Sequence, residues 1–180
     1  MAQDNPGAAV DQDNLAGLEQ VGAGTDIADD LLRLVGKSPF FAEFSLEDIA
    51  TLIGYMAVYR AQPGEIIIRE GAAGDFMMLI VEGEVDILKK NHRAAQQHMT
   101  SAGPGMTLGE MSMIDGEPRF ATCMATQHTT FAVLTRDGMA KIILDHPGLG
   151  AKILVKMATM LSARLRQTSA RMLRMMEEAR

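Results

Sequence analysis

The sequence predicts a mainly β domain with flanking helices, followed by one long helix. Three observations carry that prediction. Short apolar and β-branched runs recur between residues 58 and 135, punctuated by Gly64, Gly71, Gly74, Gly83, Gly103 and Gly105; strands repeated at such short intervals build a sandwich or barrel. Helical patterns stand on both sides of this region. Beyond Gly150 neither Pro nor Gly occurs again, so a single helix can run to the end of the chain.

Taken in order, residues 1–24 are rich in Ala, Gly, Asp, Asn and Gln and read as a disordered arm. Residues 25–147 form a helical lead-in and the β domain. A first helix is expected over residues 26–35 and a second over 46–56. Ser45 followed by Asp48 reads as a capping box for the second. Between them, Ser38-Pro39-Phe40-Phe41 marks a turn with an apolar contact. Strands are expected at 58–60, 66–69, 76–81, 84–89, 119–125 and 130–135. Residues 90–101 are polar and aperiodic and read as a hairpin tip. A short helix over 136–144 is broken by His146-Pro147-Gly148.

Residues 148–180 form the last region, with the long helix starting at Leu149. Within it Leu154, Ala158, Leu161, Leu165, Thr168, Met172 and Met175 alternate four- and three-residue steps, an a/d seam. One domain of this size offers too little surface to cover so long an apolar stripe. The reading is therefore a homodimer through this helix, with its first two turns packed on the β domain.

Composition narrows the function. Hydrophobic residues make up 47% of the 180, with no Trp and few aromatics, so the core is aliphatic with Met filling gaps. No apolar run is long enough to span a membrane, no secretory leader is visible, and the lone Cys123 cannot form an internal disulfide. These point to the cytoplasm. The net charge of −6 opposes nucleic-acid binding. Bases gather only near the end (Lys152, Lys156, Arg164, Arg166, Arg171, Arg174, Arg180), where they read as the solvated face of a helix. Direct DNA binding is not expected. His92, His98, His128 and His146 lack metal-ligand spacing, so no metal is expected. No Ser-His-Asp order or carboxylate pair suggests an enzyme.

The chemistry concentrates in Leu108-Gly109-Glu110-Met111-Ser112-Met113 and, after a short gap, Pro118-Arg119-Phe120-Ala121-Thr122. Gly109 permits close approach of a ligand to the backbone. One helical turn over 109–114 would present N–H groups to an anion. Arg119, read as the start of a strand, supplies a planar fork for phosphate oxygens, and Glu110 can accept from a sugar hydroxyl. One acid for a ribose and one base for a phosphate suit a nucleotide better than an inorganic anion.

This stretch resembles the phosphate-binding cassette of cyclic-nucleotide-binding domains, as in bacterial cAMP receptor proteins, protein kinase A regulatory subunits and cyclic-nucleotide-gated channels. Their pattern is roughly Phe-Gly-Glu-Leu-Ala-Leu, a gap, then Pro-Arg, a small residue, and Ala-Thr. The glycine-spaced runs from Gly64 to Gly71 and from Gly74 to Val85 resemble the same family, and the likeness covers residues 38–170. The resemblance implies a double-stranded β-helix, a jelly-roll-like β-roll, with a long C-terminal helix. It implies cAMP, or another cyclic nucleotide, as regulatory ligand. By resemblance Glu110 would bind the ribose 2′-hydroxyl and Arg119 the cyclic phosphate. Ser112 and Ala121 would add backbone N–H groups, with Gly109 and Met111 on the same turn. Arg164, Thr168 and Ser169 would form a lid over the purine.

Phe120 departs from the family's small residue. It has no hydroxyl, which disfavours cGMP, and leaves two readings: a ring that stacks on the purine, or a ring that fills the pocket. The plainer readings are a surface Arg119 paired with Glu117, and a structural Glu110 paired with Arg119. The expected function is a cyclic-nucleotide sensor without a helix-turn-helix, signalling through its last helix to an effector protein. The alternative is a degenerate roll, blocked by Phe120, that serves as a dimerisation or protein-interaction scaffold.

Overall fold

The β-rich runs pair into two sheets. The computed structural model describes residues 15–34 and 38–178, and among these nine strands form, every pair antiparallel. One sheet runs β1 (Glu19–Ala23), β2 (Ala57–Ala61), β9 (Thr129–Thr135), β4 (Phe76–Glu82), β7 (Thr107–Leu108). The other runs β3 (Ile66–Ile68), β8 (Thr122–Ala125), β5 (Val85–Lys90), β6 (Gln96–Ala102). Both contribute to one core: Phe76, Met78, Ile80, Phe131 and Val133 from the first, Ile67, Ile68, Val85 and Cys123 from the second. Their burial supplies the main favourable term of folding. Cys123 is a buried thiol, as its place on an apolar strand face leads one to expect.

The lead-in consists of α1 (Ala28–Leu34) and α2 (Leu46–Ile53). The expected capping box forms: the Ser45 hydroxyl accepts from the Asp48 amide at 3.1 Å, and the Asp48 carboxylate accepts from the Ser45 amide at 2.9 Å. Phe40, Phe41 and Phe44 cluster beside α2 with ring centroids 5.4–6.2 Å apart, a spacing at which aromatic rings attract. The buried Ser38 hydroxyl donates to the Gly105 carbonyl at 2.6 Å and fastens the lead-in to the roll.

The structure corrects several expectations. Of the expected arm, residues 1–14 lie outside the described residues, as does Val35; residues 19–23 are not an arm but strand β1, paired to β2 from Glu19↔Arg60 to Ala23↔Ala57. Small residues and Gly22 hid this edge strand, which is held by backbone bonds rather than by an apolar face. Most of the segment 90–101 is likewise strand. β6 pairs with β5 from Lys90↔Gln96 to Val85↔Ala102, yet Gln96 to Thr100 are all exposed. A strand solvated on both faces carries no alternation to read. The hairpin tip is confined to residues 91–95, where the Asn91 side chain accepts from the amides of Arg93 and Ala95 at 2.9 and 3.1 Å.

By contact density the chain divides into two units, Met1–Met139 and Ala140–Arg180; this boundary precedes the expected one at residue 147. It falls within α4 (Arg136–Asp145). The last helix, α5 (Pro147–Glu178), starts two residues earlier than expected. Pro147 takes the first helical position, where a missing N–H costs nothing. Leu149, Ile153 and Met157 are buried, whereas Leu154, Leu165, Met172 and Met175 of the seam are 43–68% exposed.

Phe131 is fully buried and stacks on Tyr59 at 6.0 Å. Phe131→Ala is expected to cost about 3–5 kcal/mol. Urea unfolding measures this; a loss below about 1 kcal/mol would show that the two sheets do not share a close-packed core.

Candidate ligand-binding site

The glycine-to-arginine segment folds into one helical turn and a return loop. α3 (Glu110–Asp115) starts after Gly109, whose φ of +86° lies in the left-handed region that side chains disfavour. A Cβ there would also lie 2.9 Å from both Arg119 Nη1 and the Phe76 carbonyl oxygen. Gly109 is thus required twice over, by its backbone angle and by what packs on it.

Arg119 is the centre of the arrangement. Its residue is only 3% exposed. Nη1 donates to the Gly109 and Phe76 carbonyls, each at 2.8 Å, and the guanidinium carbon lies 4.4 Å from the Phe76 ring centroid. Its own amide donates to the Ala72 carbonyl at 2.9 Å, and its carbonyl accepts from the Gly71 amide at 2.9 Å. The side chain lies against Gly74, where a Cβ would overlap the guanidinium. Arg119 therefore does not begin a strand, since β8 starts at Thr122, and it is not a surface arginine.

The other expected residues divide by exposure. On α3, Glu110 and Ser112 are 2% and 3% exposed, while Met111 turns outward. Ala121 is buried beside Arg119 in sequence. Phe120 points away from the core: its ring is 53% exposed and lies 4.3 Å from Lys89 Nζ. Lys89 also donates to the Phe120 carbonyl at 2.5 Å and pairs with Glu70 at 2.9 Å. The ring does not fill the interior of the roll. Arg164, Thr168 and Ser169 belong to α5 in the second unit; Arg164 is half-buried and the other two are exposed.

Three features escaped the sequence reading. Gly74 read as turn punctuation, but it makes room for Arg119. Lys89 and Glu70 drew no reading as site residues, but Lys89 bridges Glu70 and Phe120. Arg136 read as the start of a helix. Its Nε donates to the Met113 carbonyl at 3.0 Å and its Nη2 to the Ser112 carbonyl at 2.7 Å, so it caps the carboxyl end of α3. None of these has a short-range signal, because each partner is remote in sequence.

His98 and Ser101, which nothing in the sequence brought together, meet at Asp86. Ser101 donates to Asp86 at 2.6 Å, and His98 Nε2 lies 3.2 Å from Asp86 and 3.1 Å from Ser101. One imidazole nitrogen faces both partners, and the serine proton goes to the carboxylate. A nucleophilic relay needs the serine on one ring nitrogen and the acid on the other, so this exposed cluster is a hairpin brace. Among the described residues no group of three His, Cys, Asp or Glu side chains is placed to hold a metal, and no helix is long and apolar enough to cross a membrane.

The Glu70 carboxyl titrates against its surroundings. Burial raises its pKa, but the Lys90 amide and the Lys89 ammonium together outweigh this and hold it below the ordinary 4.5. A carboxyl depressed in the folded state contributes stability above its unfolded value and loses it as pH falls through the folded value. Glu70→Gln is therefore expected to lower stability at neutral pH, with the deficit closing as pH drops below 4.5. Thermal unfolding at stepped pH reads this; a deficit unchanged at about pH 3 would refute the ion pair.

Residues 59–146 match the cyclic nucleotide-binding domain family. A crystal structure of a cyclic nucleotide-binding domain from Methylobacillus flagellatus is 36% identical, with a TM-score of 0.79 over 90% of this chain and 91% of that one. The cAMP-dependent protein kinase regulatory subunit of Blastocladiella emersonii is 25% identical over 62% of this chain and 28% of its own length. The cyclic AMP receptor protein of Thermus thermophilus is 26% identical over 79% of this chain and 65% of its own length. The chain thus spans under a third of that regulatory subunit. A glycine-led turn closed on a buried arginine, on a two-sheet roll matched in sequence and in shape, places this chain in the cyclic nucleotide-binding domain family.

Proposed function

We propose that this protein is a cytoplasmic cAMP sensor that regulates an effector protein and catalyses no reaction. The observation that carries the reading is the buried guanidinium of Arg119, held against Gly74 and the Gly109 carbonyl beside the first turn of α3. A guanidinium fixed in place by backbone carbonyls is a planar donor suited to phosphate oxygens. A cyclic phosphate would bind Arg119 and the amides of Ser112 and Ala121. Glu110, the acid of that turn, would accept from the ribose 2′-hydroxyl. Met111 and the exposed ring of Phe120 would border the base, with Arg164, Thr168 and Ser169 of α5 as lid.

Phe120 favours this reading over the blocked scaffold, because its ring lies outside the core under Lys89. It carries no hydroxyl to meet a guanine amino group, which favours cAMP over cGMP. Output would pass through α5. Its exposed seam of Leu154, Leu165, Met172 and Met175 suits a second copy of the chain, since a four-three repeat of apolar residues is the pattern of a two-helix seam. The ligand would drive the change through its differential affinity for two helix positions.

A ligand present at 100 times its dissociation constant stabilises the native state by about 2.7 kcal/mol. cAMP is expected to raise the melting temperature of the wild type and to have no effect on Arg119→Ala. If neither cAMP nor cGMP shifts melting at millimolar concentration, the scaffold reading replaces the sensor. Sedimentation is expected to show a dimer that Leu165→Asp converts to monomer; a wild-type monomer at high concentration would refute the seam.

A further inference from the structure

The chemistry of α3 depends on where its two ends are held. A helix of six residues satisfies few of its own backbone groups, and isolated turns of that length do not persist. Here two arginines hold it. Arg119 takes the Gly109 carbonyl at the amino end. Arg136 takes the Ser112 and Met113 carbonyls at the carboxyl end, using two N–H groups along one edge of its planar guanidinium. A cation at this end also complements the helix dipole. The two braces are anchored on adjacent residues of the chain. Arg119 donates to the Phe76 carbonyl, and the Arg136 amide donates to the Asp75 carbonyl at 2.6 Å.

Arg136 is also the first residue of α4. The side chain that fixes the carboxyl end of α3 therefore grows from the start of a helix that runs on to Asp145. We propose that Arg136 is a positioning residue: it holds α3 in the register that binds the cyclic phosphate, and it is the mechanical link through which occupancy at α3 reaches α4. This rests on the cyclic-nucleotide reading above. Arg136 touches no ligand in it. The ligand orders α3, α3 holds the fork of Arg136, and the fork holds the first turn of α4. A lysine keeps the charge but loses the rigid planar fork.

The test combines calorimetry with amide hydrogen exchange, using cAMP on the full chain. In the wild type, cAMP is expected to slow exchange both in residues 108–120 and in residues 136–145. In Arg136→Ala, affinity is expected to fall about tenfold, the order set by loss of a charge-assisted hydrogen bond. Slowing is expected to persist at residues 108–120 and to vanish at 136–145. Arg136→Lys is expected to recover part of the affinity and little of the slowing at α4, and it serves as the probe if the alanine variant does not fold. A merely structural role would lower the melting temperature of the free protein and leave both ligand responses intact; that result would overturn the inference. Wild-type protein that shows no response to cAMP would overturn the binding reading and this inference with it. A wild-type response that Arg136→Ala and Arg136→Lys both retain would overturn the inference alone.

Discussion

The buried guanidinium of Arg119 is the constraint around which the candidate site is arranged. Placing a charge away from water costs several kcal/mol unless its surroundings compensate. Part of the compensation comes from backbone carbonyls and a ring face: Gly109 at the start of α3, Phe76 at the start of β4, and the Phe76 ring. Each of these groups must therefore be where it is for the arginine to be where it is. Gly74 and Gly109 must lack side chains, and the strand-forming runs on either side must register so that residues 71–72 meet the backbone of Arg119. The roll is a frame that presents one cation beside one short helical turn.

That dependence explains the division of labour in the molecule. The core of Met78, Ile80, Phe131 and Val133 against Ile67, Val85 and Cys123 supplies stability and carries no chemistry. The second sheet ends in an edge hairpin whose polar residues, including the His98, Ser101 and Asp86 brace, face solvent. Three further charges, on separate elements, hold positions: Glu70 on Lys89, Lys89 on Phe120, Arg136 on the end of α3. The aromatic residue that departs from the family pattern is thus held at the surface by a specific clamp rather than left to fill the roll.

Much of this was legible beforehand, for a physical reason. Strand and cassette positions were announced by glycines, and glycine marks places where the backbone leaves the regions open to side chains or where another group comes close. Gly109 and the capping box at Ser45 are local signals, and both stand in the structure where the residues put them. What stayed hidden was non-local. β1 and β6 are edge strands without a buried face, so no alternation revealed them. The burial of Arg119 depends on Gly74, remote in sequence, and the cap provided by Arg136 depends on carbonyls more than twenty residues upstream. A charged residue in a string of letters looks solvated until its acceptors are known.

The most direct measurement is the arginine side-chain Nε–H spectrum of the isotope-labelled protein, titrated with cAMP, with the Arg119 resonance assigned by its loss in Arg119→Lys. A cyclic phosphate seated on the buried guanidinium must change the hydrogen-bond environment of that group. The account predicts that the Arg119 resonance shifts in proportion to occupancy. A resonance that stays fixed while cAMP binds would contradict it, since the ligand would then be held elsewhere and the buried arginine would be only a structural strut.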